Sequence, residues 1–383
     1  MRIGIDAANL REGGGVTHLV QLLGSADPER DGFSRVTVWS GRNTLAELAP
    51  RPWLDLRRPD ALDGGLLSRT WWQARALARE AARTCDVLFV PGGSYSGAFR
   101  PFVTMCRNML VFDASERQRY GRSVLRFKLE ALRRTQSTTF LRSDGLILLT
   151  DHARAVVTRE IGLRDVPTRI IPHGVDASLF AAPRPQLPIE SYSPERPFRL
   201  LYVSKIDLYK HQWNVAEAVA LLRKQGVPVT ITFVGGEYPA AARRLRSTLD
   251  AIEGAPAFVQ WERAVPRIAL GDVYRRADAF VFASTCENLP NILIEAMAAG
   301  LPIAAADRPP MPDVLGSGGL YFNSDSIESI AGALRQLITD PSARRRNSDA
   351  AFARAHAYSW ERCARDTFDF LRSVAAAPRP AAA

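Results

Sequence analysis

Apolar residues recur along the chain in two rhythms. Short compact runs, bounded by turn formers, read as buried strands: Arg2–Ile5, Val36–Trp39, Val87–Val90, Leu146–Leu149 and Arg169–Ile171. Between them lie stretches with helical spacing, such as Val16–Leu23 and Thr70–Thr84. The alternation restarts further on. Leu200–Val203, Val229–Val234 and Ala279–Ala283 read as strands, Phe258–Trp261 and Val273–Arg276 continue the alternation, and helices are read at Val215–Arg223, Ala240–Leu249, Ile327–Ile338 and Trp360–Val374. Strands alternating with helices predict βαβ units around parallel sheets, so the fold class is α/β.

The two series are separated by a proline-rich stretch holding Pro172, Pro183, Pro185, Pro188, Pro194 and Pro197. Such density fits neither a helix nor a central strand and marks a linker. The reading is two doubly wound, Rossmann-like domains facing across a cleft. The first covers 1–182 and is rejoined by a helix over 358–375. The second covers 194–357, and 376–383 is an Ala/Pro-rich disordered tail.

Composition changes this picture little. The chain of 383 residues is 46% hydrophobic and 23% charged, enough apolar material for two cores. Cys85, Cys106, Cys286 and Cys363 are widely spaced, so they read as reduced thiols of a cytoplasmic protein and hold no metal. The opening run Met1–Leu10 reads as a strand, not a signal peptide, and no apolar run approaches the roughly 18–20 residues that cross a bilayer. Charge is more informative. Fifty basic residues face forty acidic ones, yet only Lys128, Lys205, Lys210 and Lys224 are lysines. Two of the four fall within six residues, at 205 and 210, in a chain that otherwise uses arginine.

The densest chemistry follows the strand Ala279–Ala283. Pro290 suits a first helical position, Gly300 suits the place just past a helix end, and Pro302 blocks continuation. A helix over Pro290–Ala299 would aim its positive end and unpartnered first amides at the strand ends, which suits a diphosphate. Glu287 stands just before it. Glu295 lies roughly 7 Å along its axis, at about 1.5 Å per residue. One carboxylate can reach a group beyond the phosphates and the other a group behind them, as a sugar and a ribose would require. A second anion cradle is predicted where Gly13, Gly14 and Gly15 follow the first strand and open a helix near Val16.

The run from Cys286 to Pro302, in which seven residues separate Glu287 from Glu295, closely resembles the E-x7-E signature of the family 4 (group 1) glycosyltransferases, which have the GT-B fold. The resemblance extends over nearly the whole chain and points toward bacterial transferases of cell-surface polysaccharide and O-antigen or lipopolysaccharide synthesis. It implies a retaining, metal-independent hexosyltransferase without a cofactor. The donor would be a nucleoside diphosphate sugar of GDP or UDP type, with mannose or rhamnose as first guess, and the acceptor a glycan or a lipid-linked sugar. It further implies that Glu287 meets donor-sugar hydroxyls and Glu295 the nucleotide ribose. Asn288, Leu289, Pro290, Asn291 and Ile292 would line the donor. Lys205 and Lys210 stand where the family often has an Arg and a Lys that hold the diphosphate; Lys205 gives a point charge in place of a bidentate fork. Gly14 and Gly15 would approach the donor phosphate when the domains close. On the acceptor side the candidates are Arg107 and Asn108, where many relatives place a histidine, and His173 of the His-Gly-Val-Asp run.

From Arg117 to Arg134, seven basic residues interleave with Tyr120, Val124, Leu125, Phe127, Leu129 and Leu132 against one acid, Glu130. Such a stretch can lie on an anionic membrane surface, which predicts a peripheral position on the cytoplasmic face. No nucleic-acid partner is expected, since no binding motif accompanies the charge. Two other readings fit a sugar-nucleotide pocket. A GT-B epimerase would need an acid/base pair, for which the sequence offers no assignment. A non-catalytic nucleotide-sugar sensor would bind donor without transfer.

Overall fold

In the computed structural model, which describes residues 1–378, the chain forms two compact units. The first contains Met1–Arg117, Arg122–Gly174 and the chain from Ser359 onward; the second contains Gln118–Gly121 and Val175–Tyr358. The expected boundary at 182 thus lies inside the second unit, and residues 379–383 of the expected tail lie outside the described residues.

The first unit holds seven parallel strands: β1 (Arg2–Asp6), β2 (Arg35–Trp39), β3 (Leu54–Arg57), β4 (Val87–Val90), β5 (Phe102–Met105), β6 (Gly145–Leu148) and β7 (Thr168–Ile170), in the order β3-β2-β1-β4-β5-β6-β7. The central strands β4, β5 and β6 are buried at every residue, because helices cover both faces of such a sheet. The helix Trp360–Ala376 packs here. Its Phe370 and Val374 lie against Gly145 on β6, where a Cβ would come within 2.9 Å of Phe370. Phe368 packs on Phe33 with centroids 4.8 Å apart.

The second unit holds β8 (Phe198–Val203), β9 (Val229–Val234), β10 (Val259–Glu262), β11 (Ala279–Phe282), β12 (Ile303–Ala306) and β13 (Gly319–Phe322), in the order β10-β9-β8-β11-β12-β13. In each unit the strand order reverses beside the first strand, which lies between its two outgoing series. Ligands bind at the carboxyl ends there in doubly wound sheets.

Four strands, β3, β5, β12 and β13, have no counterpart in the expected series. β12 reads Ile-Ala-Ala-Ala, a poor strand sequence on propensity, yet all four residues are buried. β3 alternates leucines with Asp55 and Arg57 at the sheet edge. The helix Pro341–Ala355 is also absent from the expected series.

The proline-rich connection is not slack. Ala181 N donates to Ala298 O at 2.9 Å, and Arg184 donates to the carbonyls of Arg275 (2.9 Å) and Ala277. The fully buried Arg344 donates to Gln186 Oε1 (3.0 Å) and to Leu187 O. These bonds pin it to the second unit. The four cysteines are buried and unbridged.

Candidate functional site

In the second unit the site begins where β8 ends. Ser204–Asp207 leads into a short 3-10 turn, Leu208–Lys210, and then into the helix Gln212–Lys224. Gly235, after β9, presses on this loop: its φ is 151°, and a Cβ would lie 2.2 Å from Ser204 O. Only glycine fits, and the two loops are held by Ile206 N donating to Gly236 O (2.8 Å) and Tyr238 N to Ile206 O (2.8 Å). Between the turn and the helix His211 takes a left-handed conformation (φ 53°), which costs about 1 kcal/mol in a non-glycine residue.

This turn buries Lys210. Its carbonyl accepts from the buried Tyr202 hydroxyl at 2.7 Å, and its ammonium lies 5.0 Å from the ring centres of both Tyr209 and Phe282. The ammonium forms an ion pair with Glu287 Oε1, an oxygen that also accepts from Ser284 Oγ. The side chains of Lys210 and Glu287 are 8% and 15% exposed, so the pair is largely out of water, where its attraction is little screened. Glu287, expected at the donor sugar, and Lys210, expected at the diphosphate, thus touch directly.

Lys205 stands apart from that pair. Its side chain is 55% exposed, and its ammonium is 3.7 Å from Asp207 Oδ2. The other oxygen of Asp207 accepts from Tyr120 Oη at 2.7 Å, and the carboxylate also caps Leu208 N. Tyr120 belongs to the short segment Gln118–Gly121 of this unit, and its ring packs on Tyr238 at 5.5 Å.

The helix after β11 runs Asn291–Ala298. Pro290 occupies the capping position and not the first helical position as expected, with ψ 75°. The first amides are less open than predicted. Asn291 N donates to Leu289 O at 2.9 Å and Leu293 N to Pro290 O at 2.9 Å, because the loop closes its own turns before the helix begins. Asn288, Leu289 and Pro290 are buried, while Asn291 and Ile292 are partly exposed. Gly300 follows with φ 65°, and a Cβ there would lie 2.5 Å from Ala181 O. Both the backbone angle and the pinned linker therefore require glycine.

Glu295, inside the helix, accepts from the buried Tyr274 hydroxyl at 2.9 Å. Burial pushes its carboxyl above the usual range, against the pull of that hydrogen bond. His211 closes the far side: Nε2 is 3.3 Å from Thr285 Oγ1 and Nδ1 is 3.7 Å from Asp325. Burial, followed by the nearby Arg119 charge, pushes the imidazole down to about 4. Tyr202, Tyr274, Ser284, Asp207 and His211 escape sequence reasoning because nothing in their local spacing links them to Glu287 or Glu295.

In the first unit the glycine loop is also present, with differences. Gly13 caps the helix with φ 65°, and the helix starts at Gly14, ahead of the expected Val16. Gly14 is open, but at Gly15 a Cβ would lie 2.4 Å from Arg107 Nη1. Arg107 therefore shares a place with the glycine loop, although the two were expected on opposite sides of the chemistry. Burial pushes the guanidinium down to about 10. His18, one turn further along the helix, stacks on His173 at 4.6 Å, and His173 stacks on Trp360 at 5.5 Å. His173 is buried and takes part in this packing. Asn108 is exposed and caps a 3-10 turn through Leu110 N at 3.1 Å. Asp176 does the same for Ser178 N, at 3.0 Å.

Comparison with known proteins agrees with this layout. Residues 184–354 match the model of the family described as glycosyl transferases group 1. The D-inositol 3-phosphate glycosyltransferase of Arthrobacter sp. (strain FB24) is 28% identical over 205 residues, 52% of this chain and 48% of that protein. The O-antigen chain mannosyltransferase B of Escherichia coli is 30% identical over 105 residues, 27% of this chain and 28% of that one. The chain thus spans about half the length, or less, of these curated relatives. Anabaena HepE, solved in complex with UDP and glucose, superposes with a TM-score of 0.74 at 17% identity, covering 97% of this chain and 100% of that one. The match to the group 1 glycosyl transferases thus lies in the second unit, and the two parallel-sheet units have the GT-B fold.

Proposed function

We propose that the protein transfers a sugar from a nucleoside diphosphate donor to a hydroxyl acceptor with retention of configuration and without a metal, in the assembly of a surface glycan. The observation that carries this is the Lys210–Glu287 pair at the mouth of the helix Asn291–Ala298, with Glu295 held by Tyr274 behind it. A donor would divide the pair. Its diphosphate takes Lys210, with Lys205 as a second, exposed cation, while its sugar hydroxyls donate to Glu287. Glu295 then faces the ribose.

The bond from the anomeric carbon to the diphosphate oxygen breaks as the acceptor oxygen approaches on the same face. The departing diphosphate oxygen takes the acceptor proton, so charge and protons balance without a side-chain base. Lys210 and Lys205 stabilise the growing negative charge, the largest single contribution expected of such a site. Mannose or rhamnose, on GDP or UDP, is the first sugar to try, since an O-antigen mannosyltransferase is among the relatives.

Peripheral contact with the cytoplasmic membrane face fits the same role. Among the described residues no helix is long and apolar enough to cross a membrane. The helix Val124–Arg142 opens with Val124 and Phe127, each 71% exposed, beside the exposed Arg122, Arg126 and Lys128. Partition of apolar tips flanked by cations onto anionic lipid follows from that pattern.

The decisive test is Glu287→Ala with a panel of UDP- and GDP-sugars and a pool of acceptors. The wild type should transfer, and the folded variant should lose about 10²–10³-fold. Equal rates would sink the assignment. Donor incubated alone should return no epimer.

A further inference from the structure

The first unit contains a cavity of about 290 Å³ that neither the donor site nor the acceptor-side candidates use. It lies past the carboxyl ends of β1 and β2, where Ala8–Arg11 and Gly41–Thr44 diverge, and it is lined by Arg11, Arg42, Asn43, Thr44 and Asp63 among others. Its walls are fixed: Thr44 Oγ1 donates to Leu10 O at 2.7 Å, tying the two loops together.

Charge around this cavity is unbalanced. Its one carboxylate, Asp63, is already engaged at both oxygens, by Arg42 N at 2.7 Å and Arg58 Nε at 2.8 Å. Those bonds hold its carboxyl below the usual range. The guanidiniums of Arg11 and Arg42 form no ion pair among the described residues. Arg11 donates only to a neutral carbonyl, Gly64 O, at 3.0 Å. Behind them Arg69 donates to Ala8 O (3.0 Å) and Asn9 Oδ1 (3.3 Å), again neutral acceptors. Burial, and then the charge of Arg11, make its protonated form less favourable than usual. Asp63 is thus the single carboxylate set against several guanidiniums, and the net positive wall that remains is the electrostatic complement of a polyvalent anion. A tetrahedral phosphate accepts guanidinium forks from two loops at once, which a planar carboxylate does less well.

We propose that this cavity binds a phosphate group carried by the acceptor, between Arg11 and Arg42. The role as an acceptor subsite rests on the glycosyltransferase reading; the affinity for phosphate does not. Two sources share the chemistry, a soluble phosphorylated sugar or polyol and a phosphate on a lipid.

The full chain is titrated calorimetrically with glycerol 3-phosphate and, separately, floated with vesicles of phosphatidylcholine with and without phosphatidic acid. The double variant Arg11→Gln/Arg42→Gln is compared with wild type and with Arg164→Gln, an exposed arginine elsewhere in the unit. Binding of at least one probe should weaken about tenfold or more in the double variant and stay unchanged in Arg164→Gln. The probe affected identifies the source. If the double substitution weakens neither, or no probe binds wild type, the cavity is not a phosphate site. UDP and GDP binding is measured in parallel and should be within twofold in every variant. Failure of wild type to bind either nucleotide would overturn the donor reading while leaving the phosphate result to stand alone.

Discussion

The two units start from the same plan and differ in how the cation at that point is paired. In each, the first strand sits centrally and hands the chain to a loop and a helix at the strand-order reversal. In the second unit that loop delivers a cation, Lys210, straight to a carboxylate, Glu287, with a hydroxyl beside it. In the first unit the corresponding loop delivers glycines, and the cation against them, Arg107, forms no ion pair among the described residues. In one the cation meets a carboxylate of the protein; in the other it has no ion-pair partner among the described residues. The topology fixes where a ligand can approach, while the side chains decide whether the protein supplies both signs of charge or leaves one to the ligand.

The largest effect is expected for Lys210→Ala, which removes the cation and leaves Glu287 without its ion-pair partner. Transfer should fall about 10³-fold, and the melting temperature should drop as well, since breaking a buried pair costs roughly 3–5 kcal/mol. Arg107→Ala should cost less than Lys210→Ala in stability, because no paired anion is orphaned; thermal denaturation of both variants checks it, and a larger loss for Arg107→Ala would undo the comparison.

Next in size is a pH effect of opposite sign in the two units. Burial pushes Asp6, at the end of β1, up to about 6. Its contribution to stability is complete below about 4, the unfolded value, and is lost as pH rises through about 6. Burial pushes His211 down to about 4, so its contribution is complete above about 6.5 and is lost as pH falls toward 4. Relative to wild type, Asp6→Asn should gain roughly 2–3 kcal/mol as pH rises from 4 to 7, and His211→Asn should gain a similar amount as pH falls over the same range. Asn also tolerates the left-handed backbone at 211. Urea denaturation at several pH values reads both; parallel curves would refute the burial argument.

Smaller still, Tyr274→Phe should raise the donor KM about three- to tenfold with little change in kcat, since Glu295 loses one hydrogen bond away from the reacting bond. Lys205→Ala should reduce kcat by about tenfold, less than Lys210→Ala, because its ammonium is exposed and screened. Steady-state kinetics with the cognate donor separates the two.

The α/β class, the strand–Glu–helix–Glu frame and the place of Gly300 were legible in the chain because each depends on local rules: period, capping and turn chemistry. β12 was illegible because its alanines are chosen by close helix packing, not by strand propensity. Pro290 shows the same limit at one residue, since a favourable first helical position was overridden by the turn that Leu289 makes with Asn291.

Local sequence thus sets which elements form and which ionisable groups stand at their ends, since these follow from neighbours within a turn or two. Which of those groups meet depends on how the strands are ordered in space. Lys210 lies far from Glu287 along the chain, as Arg107 does from Gly15 and Arg11 from Arg42, and their proximity is set by strand order. Burial then fixes how strongly each charge is felt, and burial is a property of the packed sheet and helices, not of any single segment.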